Sequence, residues 1–358
     1  MPGIVGIIQS GGEKEKIKGY IDFLTDSLIH ESWQKSSIIF NNNYGFGKIG
    51  LEESFVPLLF DKDIITGFDG YAVAYKDFKT GIQKEINIDK SSEILPRKII
   101  EAYRLNKLDI FIPSINGQFS FFIYDNQKNK LIIGNDRYGL RPVYYRKITD
   151  GIVFSSELNG LVEIKQKISD LKNTINKEAI VEYFTFQHLL GTKTMIKEIY
   201  LLPPASILTY MNKEISINNY WIPKFNENNF NLSEREAIEE LDQRLRRAVQ
   251  RRIPKSEKSI GLTLSGGLDS RCILALLCQV NNPLKIKSFN YGMTQNNLDS
   301  LFAKQIAELY NSDFVFVKYN VSSYLSNIEK GLKYLNAEFP GLSMREIETY
   351  KMMRDECI

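Results

Sequence analysis

Cysteine is scarce in this chain: Cys272, Cys278 and Cys357 are the only three among 358 residues. An odd number with no spacing pattern excludes a disulfide framework. Cys272 and Cys278 fall in an apolar helical run and are expected to act as small buried hydrophobes. Histidine is scarcer still. His30 and His188 lie far apart, which argues against a histidine-based metal centre. There is no excess of charge of one sign: 46 basic residues oppose 43 acidic ones. That balance supplies no field for nucleic acid or a membrane surface, so neither is an expected partner. No run approaches the ~20 apolar residues of a membrane span, and no basic stretch leads into an apolar one at the N-terminus. A soluble, cytoplasmic protein is expected. Internal repeats and low-complexity tracts are missing as well.

What remains is an ordinary globular composition, 43% hydrophobic and 25% charged, long enough for two domains. Residues 1–165 read mainly as strands: Ile4–Ile8, Gly45–Leu51, Ile64–Tyr75, Phe119–Tyr124, Lys130–Gly134, Val143–Tyr145 and Ile152–Ser155. Helical periodicity interrupts at Lys16–His30 and Glu93–Asn106. Phe119, Phe121, Phe122 and Tyr124 fit a core strand. Many strands with few helices predict a layered α+β domain. Residues 166–230 read as a connection, with a helix at Lys177–Leu190 and a short hairpin containing Ser206–Tyr210, closed by Tyr220-Trp221. From residue 231 to 358 the period changes. Ser233 and Glu236 form a capping box, and strands then alternate with helices: Ser259–Leu264, Arg271–Val280, Lys285–Tyr291, Ser300–Tyr310, Asp313–Tyr319, Ser323–Asn336 and Leu342–Asp355. That order predicts an α/β doubly wound parallel sheet. The arginine-rich stretch Gln243–Arg252 is expected to be a solvated helix face.

The chemistry concentrates in Leu264-Ser265-Gly266-Gly267-Leu268-Asp269-Ser270, between a strand and a helix. Peptide N–H groups of such a turn and of the first helical residues lack intrahelical partners and point toward one spot. Two glycines let the backbone approach a ligand, and Ser265 and Ser270 add hydroxyls. Asp269 would repel phosphate directly, so its natural use is to hold a bridging metal ion. The ending is not the Gly-Lys-Ser/Thr of a Walker loop. Arg271 is placed either to reach a phosphate or to cap a neighbouring carboxylate.

This heptapeptide resembles the pyrophosphate loop of N-type ATP pyrophosphatases, and its wider context is similar to the asparagine synthetase family. Ile115 to Phe121, Tyr124-Asp125, Gly134 to Tyr145, Phe154 to Leu158, Leu202-Pro203-Pro204 and Tyr220-Trp221 follow the family's order. The resemblance implies an Ntn-type, αββα-like glutaminase fold followed by an ATP pyrophosphatase domain. The second domain would activate a carboxylate as an acyl-adenylate, using ATP and Mg²⁺, and an amine or ammonia would then form the amide. Carried over by residue, Ser265, Gly266, Gly267 and Ser270 would hold the pyrophosphate end. Asp269 would sit on Mg²⁺, and Leu264 with the Tyr291-Gly292 backbone would flank the adenosine.

Two departures stand out. The family's nucleophilic cysteine is replaced by Pro2, which has no thiol. Its glutamine pocket is altered too: Lys48 stands for an arginine, Asp69-Gly70-Tyr71 for Asn-Gly-Glu, and Ser91 for an aspartate. A retained scaffold without glutaminase activity is expected. Family members also continue to an acidic glycine loop and a helical region with a catalytic lysine, whereas this sequence stops at Arg354 to Ile358. The sheet is therefore expected to hold roughly three of the family's usual five strands, with an open edge. A second chain completing the site, one half of a split enzyme akin to β-lactam synthetases or lasso-peptide cyclases, and a degenerate non-catalytic subunit or gene fragment all fit these departures. The expected substrate is a small-molecule or peptide carboxylate.

Overall fold

The computed structural model describes residues 3–225, 231–255, 259–280, 285–334 and 346–357. The chain divides into two units, Met1–Lys224 and Phe225–Ile358.

In the first unit, elements follow in chain order as β1 (Gly3–Gln9), α1 (Lys14–Leu28), β2 (Gln34–Phe40), β3 (Tyr44–Leu51), β4 (Leu59–Asp61), β5 (Ile64–Lys76) and β6 (Gln83–Glu85). Next come α2 (Ile88–Arg104), α3 (Leu108–Ser114), β7 (Asn116–Asp125), β8 (Lys130–Asn135), β9 (Tyr144–Ile148), β10 (Gly151–Ser155) and α4 (Leu158–Glu163). The unit closes with α5 (Lys177–Phe186), β11 (Tyr200–Leu201), β12 (Ser206–Met211) and β13 (Glu214–Asn219). One sheet runs β11-β9-β10-β1-β3-β2; the other runs β13-β12-β8-β7-β5-β4, with β6 on β5. All pairs are antiparallel.

Side-chain alternation turns these sheets into four layers. Ile4 and Ile8 join Phe46, Phe122, Tyr124 and Phe154 in a core between the sheets. Val5 and Ile7 face the other way, onto Ile17, Ile21, Leu24 and Leu28 of α1. On β7, Phe119 and Phe121 pack against Leu95, Ile99 and Phe111 of α2 and α3, while Phe122 turns inward. This is the expected αββα arrangement. Both faces of β1, β8 and β10 are buried, so these segments read as apolar runs.

The stretch from 166 does not stand between the units. β11 pairs with β9, and β12 with β8, so both belong to the sheets of the first unit, which extends to Lys224. The predicted hairpin is β12–β13, and the predicted helix is the shorter α5. Arg146, 1% exposed, ties this region down. It donates to the Leu161 carbonyl and Asn173 Oδ1 at 3.0 Å, and to the Lys172 carbonyl at 2.9 Å.

The second unit contains α6 (Glu234–Gln250), β14 (Ser259–Thr263), α7 (Leu268–Cys278), β15 (Lys285–Gly292), α8 (Leu298–Leu309), β16 (Asp313–Lys318), α9 (Val321–Tyr334) and α10 (Ile347–Cys357). Among the described residues its sheet has three parallel strands, β14-β15-β16. Leu264, Leu274, Ala303 and Ala307 form its core. Ser233 and Glu236 close the capping box on α6, whose arginines pair one turn back, Arg244 with Glu240 and Arg246 with Asp242, as a solvated face does. Cys272 and Cys278 are exposed, contrary to expectation. Asn336 and the first residues of the helix expected from Leu342 lie outside the described residues.

Candidate functional site

The second unit's loop follows β14 directly. Because the sheet is parallel, the ends of β14 and β15 lie at the same edge, so the loop and Tyr291-Gly292 share it. The Leu264 N–H donates to the Phe289 carbonyl at 2.8 Å. Its side chain, 1% exposed, packs in the core, and its carbonyl accepts from Asn290 Nδ2 at 2.8 Å. Ser265 and Ser270 converge, with Oγ atoms 3.0 Å apart, and the Ser265 N–H donates to Ser270 Oγ at 3.0 Å. The Gly267 N–H donates to Ser265 Oγ at 3.2 Å.

Gly267 is the N-cap of α7 and brings no side-chain acceptor. The first-turn N–H groups of α7 therefore keep their capacity for an anion. Asp269 is in that turn and is exposed. Among the described residues no group of three or more acidic, histidine or cysteine side chains is arranged to hold a metal ion. A cation at Asp269 would draw its other ligands from phosphate and water. Arg271 Nε donates back to the Gly267 carbonyl at 3.1 Å. Tyr291 donates its hydroxyl to Glu346 Oε1 at 2.8 Å, and its ring lies 5.6 Å from that of Tyr319. Burial, reinforced by Glu346, raises the Tyr291 phenol above its ordinary range.

Asp299, which the sequence did not single out, meets the loop from α8. Its Oδ1 accepts the Gly266 N–H at 2.8 Å.

In the first unit a cavity of about 250 Å³ opens at one end of the sandwich. Lys48, Asp69, Gly70, Tyr71, Asp89, Ser92 and Arg141 line it, with Phe55 and Phe68 as apolar walls. Gly3 pairs with Ile49, so β1 begins beside it. Pro2 lies outside the described residues. Lys48 and Asp69 point between the sheets and are 5% and 6% exposed. Lys48 Nζ donates to the Val56 carbonyl at 2.5 Å, and burial lowers its ammonium to about 8. Arg141 Nη1 is 3.6 Å from Asp69 Oδ2. Burial raises the Asp69 carboxyl above its ordinary range, against the opposing pull of Arg141 and Lys48. Gly70 has φ +107°, and a Cβ there would lie 2.0 Å from the Gln118 carbonyl oxygen, so glycine is required.

Arg141 is held by its own loop. Buried Asp136 accepts the Tyr138 N–H at 3.0 Å and the Arg141 N–H at 3.3 Å. Ser91 is the misplaced residue. It is fully buried and donates to the Ile88 carbonyl at 2.7 Å. Asp89 and Ser92, three residues apart on one face of α2, face the cavity instead. Ser120 pairs directly across from Asp69, and its hydroxyl is buried without a hydrogen-bond partner.

Comparison with known proteins agrees with this division. A glutamine amidotransferase domain model matches residues 1–221, and an asparagine synthase model matches residues 240–355. A Methanocaldococcus jannaschii protein, provisionally named a second glutamine-hydrolyzing asparagine synthetase, is 26% identical over 87% of this chain and 64% of its own length. Glutamine-hydrolyzing asparagine synthetase 1 of Bacillus subtilis is 23% identical over 92% of this chain and 52% of its own. This chain thus spans about half to two thirds of the length of those relatives. A solved structure of the B. subtilis glutamine phosphoribosylpyrophosphate amidotransferase, complexed with ADP and GMP, aligns with TM-score 0.40 at 9% identity. That alignment covers 88% of this chain and 91% of the other. With an amidotransferase-type layered unit followed by an asparagine synthase unit, the chain belongs to the asparagine synthetase family.

Proposed function

We infer that the chain serves ATP-dependent amide formation in which a carboxylate is activated by adenylation and pyrophosphate leaves. The nucleophile is ammonia or another amine taken from solution or substrate, not ammonia released from glutamine. The observation that carries the reading is the loop at the edge of a parallel sheet, with two converging serines and an uncapped helix start. Such donors stabilise the charge that grows on departing pyrophosphate. Ser265, Ser270 and the N–H groups of Gly266 and Gly267 hold the phosphates in this reading, and Asp269 holds Mg²⁺, which neutralises phosphate charge when bound. The substrate is a small-molecule or peptide carboxylate; aspartate is the family's type case.

The first unit supports the silent-glutaminase part of the proposal. Pro2 offers no thiol at the nucleophile position. A thioester route also needs neutral donors for a developing oxyanion, and Asp69 sets a buried carboxyl in that region of the cavity instead. The test is ATP–pyrophosphate exchange by the purified chain with Mg²⁺ and a panel of carboxylic acids, with glutamate release from glutamine followed in parallel. Acid-dependent exchange without glutamate release is expected. Glutamate release above a heat-inactivated control would overturn the silent-glutaminase part, and acid-independent or undetectable exchange would overturn the adenylation part.

A further inference from the structure

The peptide N–H groups of Ser265, Gly266 and Gly267 are all engaged within the second unit. Ser265 and Gly267 donate to loop hydroxyls, Ser270 Oγ and Ser265 Oγ. Gly266 differs: its N–H goes to a carboxylate, Asp299 Oδ1, at 2.8 Å. An anion from another element is thus seated on a donor of an anion-binding loop.

The seat is built. Asp299 Oδ2 accepts from Asn290 Nδ2 at 3.2 Å, and the same Nδ2 donates to the Leu264 carbonyl at 2.8 Å. Ser300 Oγ donates to Asn290 Oδ1 at 2.6 Å. Asn290 and Ser300 are each 2% exposed, so this chain of bonds fixes the start of α8 against β14 and β15. A Cβ on Gly266 would lie 3.0 Å from Asp299 Cα, a tight fit between loop and helix. Asp299 lies in the first turn of α8, where the helix favours negative charge.

We propose that Asp299 is an internal competitor for the phosphate seat. Its carboxylate holds the Gly266 N–H that a pyrophosphate group entering the loop would need, and thereby sets the affinity of the loop. This rests on the reading of the loop as the pyrophosphate end of an ATP site. A carboxylate that merely braced the loop predicts the opposite sign, because its removal would loosen the donors and weaken binding. For a competitor, removal frees one donor and takes away one repelling charge.

The experiment is calorimetric titration of inorganic pyrophosphate into the full chain without metal, for the wild type, Asp299→Asn and Asp299→Ala. Thermal midpoints are recorded for each. Both variants are expected to bind more tightly than the wild type, Asp299→Ala by roughly five- to tenfold. Asp299→Asn should gain less, since it keeps the acceptor and loses only the charge. Asparagine is nearly isosteric, so if the alanine variant loses its fold the asparagine variant decides. Wild-type binding with no gain in either folded variant overturns the competitor role and leaves the loop reading standing. No binding of pyrophosphate or ATP by any of the three overturns the loop reading, and the competitor role with it.

Discussion

Asp69 carries the clearest consequence at the residue scale. Its carboxyl is buried and its folded-state pKa is raised, with burial as the main cause. The sign follows from linkage. Below the unfolded carboxyl value, near 3.9, both states are protonated and nothing is lost. As pH rises above that value the unfolded chain releases its proton first, and stability falls until the raised folded value is passed. Asp69→Asn is therefore expected to raise the unfolding midpoint at pH 7, and to have little effect at pH 3.5. Urea unfolding at the two pH values checks this; an equal effect at both would contradict the buried-charge account. Ser91 shows why single-residue alignment misleads on a helix. Each residue turns about 100°, so a shift of one or two positions moves a side chain from the Leu95–Ile99 core face to the cavity face of Asp89 and Ser92.

Among elements, legibility tracked burial. β1, β3, β5 and β7 are readable because most of their residues are buried and their sequences are rich in β-branched and aromatic side chains. β2 was not: Gln34-Lys35-Ser36-Ser37 is polar, and the strand is a partly exposed edge of its sheet. The place of β11 and β12 in the two sheets is not legible in the sequence because their partners β9 and β8 are remote in it. No local pattern reports such pairing. What holds that return segment is largely Asn135, fully buried. Its Nδ2 donates to the Leu202 and Pro203 carbonyls at 3.3 and 2.9 Å, and its Oδ1 accepts the Ser206 N–H at 3.0 Å. Asn135→Ala should cost roughly 2–4 kcal/mol, since three backbone groups lose their partner. Urea denaturation of the full chain measures it. A cost below about 0.5 kcal/mol would mean that water or relaxation replaces those bonds.

For the whole molecule, both fold classes followed from the change of hydrophobic period near residue 231, and the ligand edge of the second unit followed from strand–helix alternation. The first unit's cavity depends on contacts among β3, β5, α2 and the Arg141 loop, which no spacing rule joins. The same is true of Asp299, which reaches the loop from α8 by accepting the Gly266 N–H. The central claim is that Leu264 to Ser270 forms the pyrophosphate end of an ATP site. Equilibrium binding of labelled ATP to the full chain with Mg²⁺ tests it most directly, with Ser265→Ala alongside and inorganic pyrophosphate as competitor. Saturable one-site binding is predicted, displaced by pyrophosphate and weakened about tenfold by Ser265→Ala, the loss of one well-placed donor and of the loop's internal bond. ATP binding that ignores both pyrophosphate and the Ser265 substitution, or no binding at millimolar ATP, would contradict it.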